Sequence, residues 1–277
     1  MTGFAEYIAS WRNDPDADPN VRLVVLDVAG STPRETGATM TVGAATTTST
    51  IGGGQLEFEA IAHARMLLND PEANQGPWQR DVRTWPLGPG IGQCCGGTVR
   101  ILFEIYNQHT AGALTHITDA SINAVTVRKI ANGHPIHVCS TQQHTVQLPP
   151  GVAAAVTDML NDPAHAAPSV VTTPRSGESY FIEPLHHPRI PLFVYGAGHV
   201  GQAVVKTVSE LDFDVHWVDT HQDRFPDPPP PGVTPIVARE PARITSAAPA
   251  GAFHLVMTYS HAIDLAICHA ALALSLI

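Results

Sequence analysis

The chain has 277 residues, 44% of them hydrophobic, a formal net charge of −10 and a mean hydropathy near zero. That length supports two domains, each with a core of its own. The negative charge argues against nucleic acid or an anionic membrane as partner, which a basic face would serve. No apolar run approaches the roughly 18 residues of a transmembrane helix.

The opening MTGFAEYIASWRNDPDADP carries acids and no basic head before an apolar stretch, so it does not read as an export leader. Residues 4–13 predict a short helix, stopped by the turn-rich DPDADPN. VRLVVLDVAG (21–30) is a buried strand by composition and length. STPRETG (31–37) is a polar loop, and ATMTVG (38–43) reads as the return strand. Leu56, Ala60, Ala64 and Leu67 recur at helical spacing, widened by Ile61 and Leu68, which predicts an amphipathic helix over 55–69. Gly52, Gly53 and Gly54 stand at its start, and TVRILFEIY (98–106) is a further strand. Residues 1–106 thus read as one mixed α/β domain.

Residues 107–190 form an intermediate region from which no fold can be read. SINAVTVRKIANGHPIHVCS predicts a helix or strand, a turn at Asn132–Gly133 and a strand, while LPPG (148–151) and HHPRIP (186–191) punctuate the chain. A domain boundary is expected near the second of these. From 191 to 277 the pattern changes. PLFVYGAGHVGQAVVKTVSELDFDVHWVDTH runs strand, glycine turn, helix, strand, a βαβ unit of a parallel sheet. PIVA and AFHLVMTYS supply further strands, and the last residues read as a helix.

Within this unit GAGHVG fits the dinucleotide fingerprint. Gly196 serves the tight turn, Gly198 the close approach of a diphosphate, and Gly201 the helix–strand contact. Asp219 ends the second strand 21 residues beyond Gly198, where an acid usually bonds a ribose hydroxyl. A Rossmann-type fold follows. Whether it binds NAD(P) or another nucleotide, or uses the glycines only for turn and packing, stays open at this level. An oxidoreductase would also need an acid or base, for which His199, His221, His261 and Asp264 are the nearby candidates. His261 and Asp264 are three apart and share a helix face, a pattern better suited to a strand–helix junction.

Four cysteines, Cys94, Cys95, Cys139 and Cys268, in a chain without an export signal point to free thiols in a reducing cytoplasm. No spaced CxxC pair suggests structural zinc. The segment GPGIGQCCGG sets Cys94 and Cys95 beside Gln93, Gly96 and Gly97. Flanking glycines let a bulky ligand approach a thiolate that can bind a soft metal or transfer sulfur. Two buried packing cysteines would not need those glycines. GGGQLE, directly before a helix, can present backbone N–H groups to phosphate, and Arg34 can reach an anion with its guanidinium. A tight helix entry and a surface ion pair are the plainer readings of both.

Taken in order, STPRETGATM, TIGGGQLEFEAI, LGPGIGQCCGGTV, LFVYGAGHVGQA and MTYSHAIDL resemble the XdhC/CoxI family, the xanthine dehydrogenase accessory proteins. The resemblance implies an N-terminal XdhC/CoxI domain, a C-terminal Rossmann-like domain and a homodimer. It also implies a chaperone rather than an enzyme, one that binds molybdenum cofactor while a cysteine desulfurase sulfurates it and then delivers it to xanthine dehydrogenase or a related molybdenum hydroxylase. Arg34, Gly52, Gly53, Gly54, Gln93, Cys94, Cys95, Gly96 and Gly97 match the motifs of the first domain, with Cys94 or Cys95 expected beside the molybdenum. Gly196, Gly198, Gly201 and Asp219 match those of the second. Two departures stand out. Tyr259 replaces a histidine frequent in relatives, and the chain stops at Ile277 where relatives continue with a strand, so the Rossmann-like domain is expected to be incomplete. The competing readings are an NAD(P)-dependent oxidoreductase built on residues 191–220 and a scaffold that joins desulfurase to target without holding cofactor.

Overall fold

The computed structural model describes residues 4–5, 7–8, 18–72, 76, 78–88, 96–110, 124–141, 147–163, 166–185 and 189–274. The chain divides into two compact units, Met1–His187 and Pro188–Ile277.

Among the described residues, the first unit contains two antiparallel sheets. The first has the order β3-β2-β1-β5-β4, with β1 at Asn20–Ala29, β2 at Thr39–Val42, β3 at Thr47–Ser49, β4 at Gln79–Pro86 and β5 at Thr98–Tyr106. The second, β7-β6-β9-β8, is built from β6 (Ala124–Lys129), β7 (Ile136–Ser140), β8 (Ser169–Thr172) and β9 (Ser179–Pro184). Helix α1 (Gly54–Asn69) lays Leu56, Ala60 and Ala64 against Val21, Leu23, Val25, Ile101 and Phe103 on one face of the first sheet. The opposite face carries Val24, Leu26 and Leu102, which meet Phe181 of the second sheet. Helix α2 (Pro150–Asn161) covers the far side of that second sheet with Val152, Val156 and Leu160. The order of layers is therefore helix, sheet, sheet, helix. It explains why Leu23–Leu26 of β1 are apolar without alternation, since both faces of the strand are buried there.

The sequence reading does not anticipate β3, β4, β8, β9 or α2. LPPG, read there as punctuation, opens α2 instead: proline suits the first helical turn, where its missing N–H costs nothing. The segment around Asn132–Gly133 is a hairpin of β6 and β7, which resolves the helix-or-strand alternative. Phe4, Ala5, Tyr7 and Ile8 are helical, and the Ala5 N–H donates to the Leu185 carbonyl at 3.0 Å.

Between the two sheets lies a charged layer that the sequence did not announce. Arg22, Glu104 and Arg80 stand directly opposite one another across β1, β5 and β4. From the second sheet come Arg128 and Glu183. Arg22 Nη2 lies 2.9 Å from Glu183 Oε2, and Arg80 Nε lies 2.8 Å from Glu104 Oε1. Arg128 pairs with Glu183 and approaches Glu104 at 3.5 Å. All five side chains are buried. Burial alone would raise the Glu104 pKa, but the guanidiniums of Arg128, Arg80 and Arg22 hold it at about 2. The Phe4 ring covers the arginines, its centroid 4.7 Å from the Arg22 guanidinium and 4.1 Å from that of Arg128.

The second unit is a parallel sheet of order β12-β11-β10-β13, formed by β10 (Ile190–Tyr195), β11 (Phe213–Asp219), β12 (Val233–Val237) and β13 (Phe253–Val256). The order, with the first strand central and the chain reversing direction beside it, is that of a Rossmann-like half. Leu192 and Val194 face α3 (His199–Val208) through Val205, while Phe193 and Tyr195 face α4 (His261–Leu274) through Ile267. The mixed α/β fold with a C-terminal Rossmann-like parallel sheet is thus present. Cys139 is buried in the core under α2, where burial pushes its thiol pKa up, and Cys268 is exposed on α4. Among the described residues no helix is long and apolar enough to cross a membrane.

Candidate functional site

Three motifs that are far apart in sequence meet at the end of β1. The chain leaves this strand through Gly30, and the carbonyls of Ala29 and Ser31 close over Gly97. A Cβ at position 97 would lie 2.6 and 2.3 Å from those oxygens, so only glycine fits without moving backbone. Ser31 and Gly96 form a parallel bridge, and the Leu87 N–H donates to the Gly97 carbonyl at 2.7 Å. The end of the cysteine segment is thereby stitched to the STPRETG loop. Gln93, Cys94 and Cys95 lie outside the described residues.

The same loop also holds the glycine triplet. Arg34 Nη1 donates to the Thr50 carbonyl at 3.2 Å, and the Pro33 ring packs on Gly52, where an added Cβ would stand 2.5 Å from Pro33 Cγ. Arg34 also pairs with Glu35, Nη2 to Oε1 at 3.1 Å, and its guanidinium holds the Glu35 carboxyl below the usual carboxylate range. Gly52, Gly53 and Gly54 all have positive φ, 127°, 73° and 66°, a run that residues with a Cβ rarely adopt.

The donors of this turn are engaged by a residue the sequence reading passed over. Glu57 Oε2 accepts from the Thr50 hydroxyl at 2.5 Å and from the N–H groups of Ile51 and Gly53, both at 3.1 Å. The Thr50 hydroxyl in turn accepts from the Gly52 N–H at 3.1 Å. Gly53, the N-cap residue, makes no side-chain cap hydrogen bond, and Glu57 reaches back from the first turn to the N–H groups of Gly53 itself and of Ile51. An acid there also suits the positive end of the helix dipole. The legible signal was an acid one helical turn after a glycine cap. Two of the backbone donors at this turn, the Ile51 and Gly53 N–H groups, are thus bonded to a carboxylate of the chain itself. Among the described residues, a Cβ added at Gly53 or at Gly96 would meet no heavy atom within 4 Å.

In the second unit GAGHVG makes the predicted turn between β10 and α3. A Cβ on Gly196 would lie 2.5 Å from the Met257 carbonyl oxygen, and one on Gly201 would lie 2.0 Å from the Gly196 oxygen. Trp217 Nε1 donates to that same Gly196 oxygen at 3.0 Å. Gly198 caps α3. Asp219 ends β11 as expected, yet it is only 5% exposed and both its oxygens turn inward. Oδ2 accepts from the Ala197 N–H at 2.6 Å, and Oδ1 accepts from the Thr220 N–H at 2.6 Å and the Thr220 hydroxyl at 3.2 Å. Arg224 Nη1 stands 3.4 Å from Oδ1, its guanidinium 4.9 Å from the centroid of the exposed Tyr259 ring. The carboxylate braces the glycine turn in the place where a ribose contact was expected.

The acid–base candidates do not assemble. Asp264 accepts from the Thr258 N–H at 3.0 Å and its hydroxyl at 2.6 Å, fastening the start of α4. His261 is exposed, 4.0 Å from Asp264. His221 bonds the neighbouring Thr220 hydroxyl at 2.8 Å, and His199 is exposed at the start of α3. Among the described residues no group of three or more His, Cys, Asp or Glu side chains could hold a metal ion.

Fold and site together define a two-unit protein in which an antiparallel first unit gathers glycine-built loops and a Rossmann-like second unit follows. Residues 16–75 match the family model described as XdhC and CoxI family, and residues 192–277 match the XdhC Rossmann domain. Together the two matches take in more than half of the chain, which belongs to the XdhC family. No curated protein matches the sequence. A crystal structure of a xanthine dehydrogenase from Bacillus halodurans is similar over 97% of this chain and 78% of its own, with 18% identity and a TM-score of 0.64. At that identity the likeness is one of fold.

Proposed function

We propose that this protein binds molybdenum cofactor, protects it during sulfuration and delivers it to xanthine dehydrogenase or a related molybdenum hydroxylase. Family membership supports the reading, and so does the fold shared with a structure named as a xanthine dehydrogenase. The observation that carries it is the meeting of the Arg34 loop, the Gly52–Gly54 turn and Gly96–Gly97 at one end of β1. These residues suit such a cargo. The donor set of Thr50, Ile51 and Gly53 accepts a carboxylate and so has the polarity for the cargo's phosphate. Among the described residues nothing crowds Gly53 or Gly96, which suits a flat ring system. Cys94 or Cys95, immediately before Gly96, would offer a thiol to the soft metal or its sulfur.

On this reading the protein is an accessory factor without turnover of its own, working in the cytoplasm as a homodimer with a cysteine desulfurase and the target enzyme as partners. The NAD(P) alternative is less well supported, because Asp219 already spends both oxygens on the chain. The test is anaerobic binding of the purified chain to molybdenum cofactor, with Cys94→Ala and Cys95→Ala alongside. Saturable binding weakened by one substitution is the expected result. Absence of binding by folded protein would favour the scaffold reading, and saturation with NAD(P) the oxidoreductase.

A further inference from the structure

We propose that the charged layer between the two sheets of the first unit binds a small inorganic monoanion, of the size of chloride, at the guanidinium of Arg128. The charges of the layer do not balance. Arg22, Arg80 and Arg128 face Glu104 and Glu183, and among the described residues no other carboxylate pairs with any of the three guanidiniums. Arginine keeps its charge in any protein environment. Both glutamates are ionised as well: burial would raise their pKa values, but the guanidiniums hold them below the usual carboxylate range. The Tyr106 phenol, which burial and Glu104 both push up, adds no negative charge. One positive charge is therefore left over, in a layer whose five charged side chains are all buried.

The excess sits on Arg128. Its side chain is fully buried, yet Nε and Nη1 donate no hydrogen bond. Nη2 is spent on Glu183 and on the Thr126 hydroxyl, and the Phe4 ring covers a face of the guanidinium. Nη1 stands 3.5 Å from Glu104 Oε2 without donating to it, whereas a close charge-assisted bond spans about 2.8 Å. A buried donor to which the chain offers no acceptor finds a water or an ion. Water would satisfy the N–H groups and leave the surplus charge desolvated; an anion answers both. Phe4, itself 0% exposed, seals the arginines, which suits a compact ion better than a phosphate or an organic acid. This site is separate from the glycine loops and does not depend on the cofactor reading.

The experiment is amide hydrogen exchange of the full chain, read segment by segment, in about 100 mM sodium chloride and in sodium gluconate of equal ionic strength, whose anion is too large for the layer. Exchange from β1, β5, β6 and β9 should slow about tenfold in chloride, the factor for an anion bound with a dissociation constant of about 10 mM, while β10 and β11 stay unchanged. Arg128→Met leaves two arginines facing two glutamates and should lose the chloride response. Equal exchange in the two salts overturns the proposal and leaves water as the partner of Arg128. Slowing of both units alike overturns it too, as a general salt effect, and so does a response that survives in folded Arg128→Met. Should that variant fail to fold, wild-type crystals soaked in bromide decide. An anomalous peak beside the Arg128 guanidinium is expected, and its absence overturns the proposal.

Discussion

The two glycine turns of this protein look alike in sequence and differ in how they are held. Each stands at the start of a helix, and each receives a carboxylate from its own chain. At Gly196–Gly201 the acid is Asp219, buried, bonded through both oxygens and approached by Arg224. At Gly52–Gly54 the acid is Glu57, half-buried and bonded through one oxygen. The first carboxylate has become part of the turn. The second holds its turn through a single oxygen and from a half-exposed position. A glycine-rich helix start therefore does not by itself identify a ligand site; what already satisfies its donors decides.

Substitutions can grade these carboxylates, with the buried layer of the first unit as the upper reference. Glu104→Gln should cost about 3–5 kcal/mol in chemical denaturation, because it leaves Arg80 and Arg22 in a dry layer short of a counter-charge. The same group predicts acid lability. Its carboxyl is held at about 2 in the fold against an ordinary 4.5. Its stabilisation is therefore complete above the unfolded value and drains away as pH falls from about 4.5 to about 2. Melting temperature against pH should fall across that window in wild type and less steeply in Glu104→Gln.

Next in size is Gly201→Ala, whose Cβ would press on the Gly196 carbonyl oxygen; a loss of about 3 kcal/mol and a disturbed second unit are expected. Gly53→Ala would meet no neighbour among the described residues and should cost only about 1 kcal/mol through its positive φ. A pair of melting curves tests that contrast, and equal losses would erase the distinction between the packed and the open turn. Asp219→Asn should cost about 2 kcal/mol, since an amide cannot satisfy the Ala197 and Thr220 N–H groups as a carboxylate does. Glu57→Gln should cost less than about 1 kcal/mol, as expected of a half-exposed group without an ion-pair partner among the described residues. A loss at Glu57 as large as that at Asp219 would place the two turns in one class.

What the sequence by itself determined is local and periodic. The apolar run of β1, the stripe of Leu56, Ala60 and Ala64, the β10–α3–β11 unit and the glycines of both turns could be read because each signal lies within one short window. Short or irregular elements such as β3, β4 and β8 escaped, since their alternation is weak and they gain order only by pairing with a neighbour. Tertiary structure alone decided where the charges went. Arg22 meets Glu104 across 82 residues of chain and Glu183 across 161, so no window of sequence contains the pairs that make the buried layer. It decided as well that Glu57 and Asp219 would fold back onto glycine turns, because a carboxylate settles where unpaired N–H groups converge, and only the folded backbone brings those groups to one point.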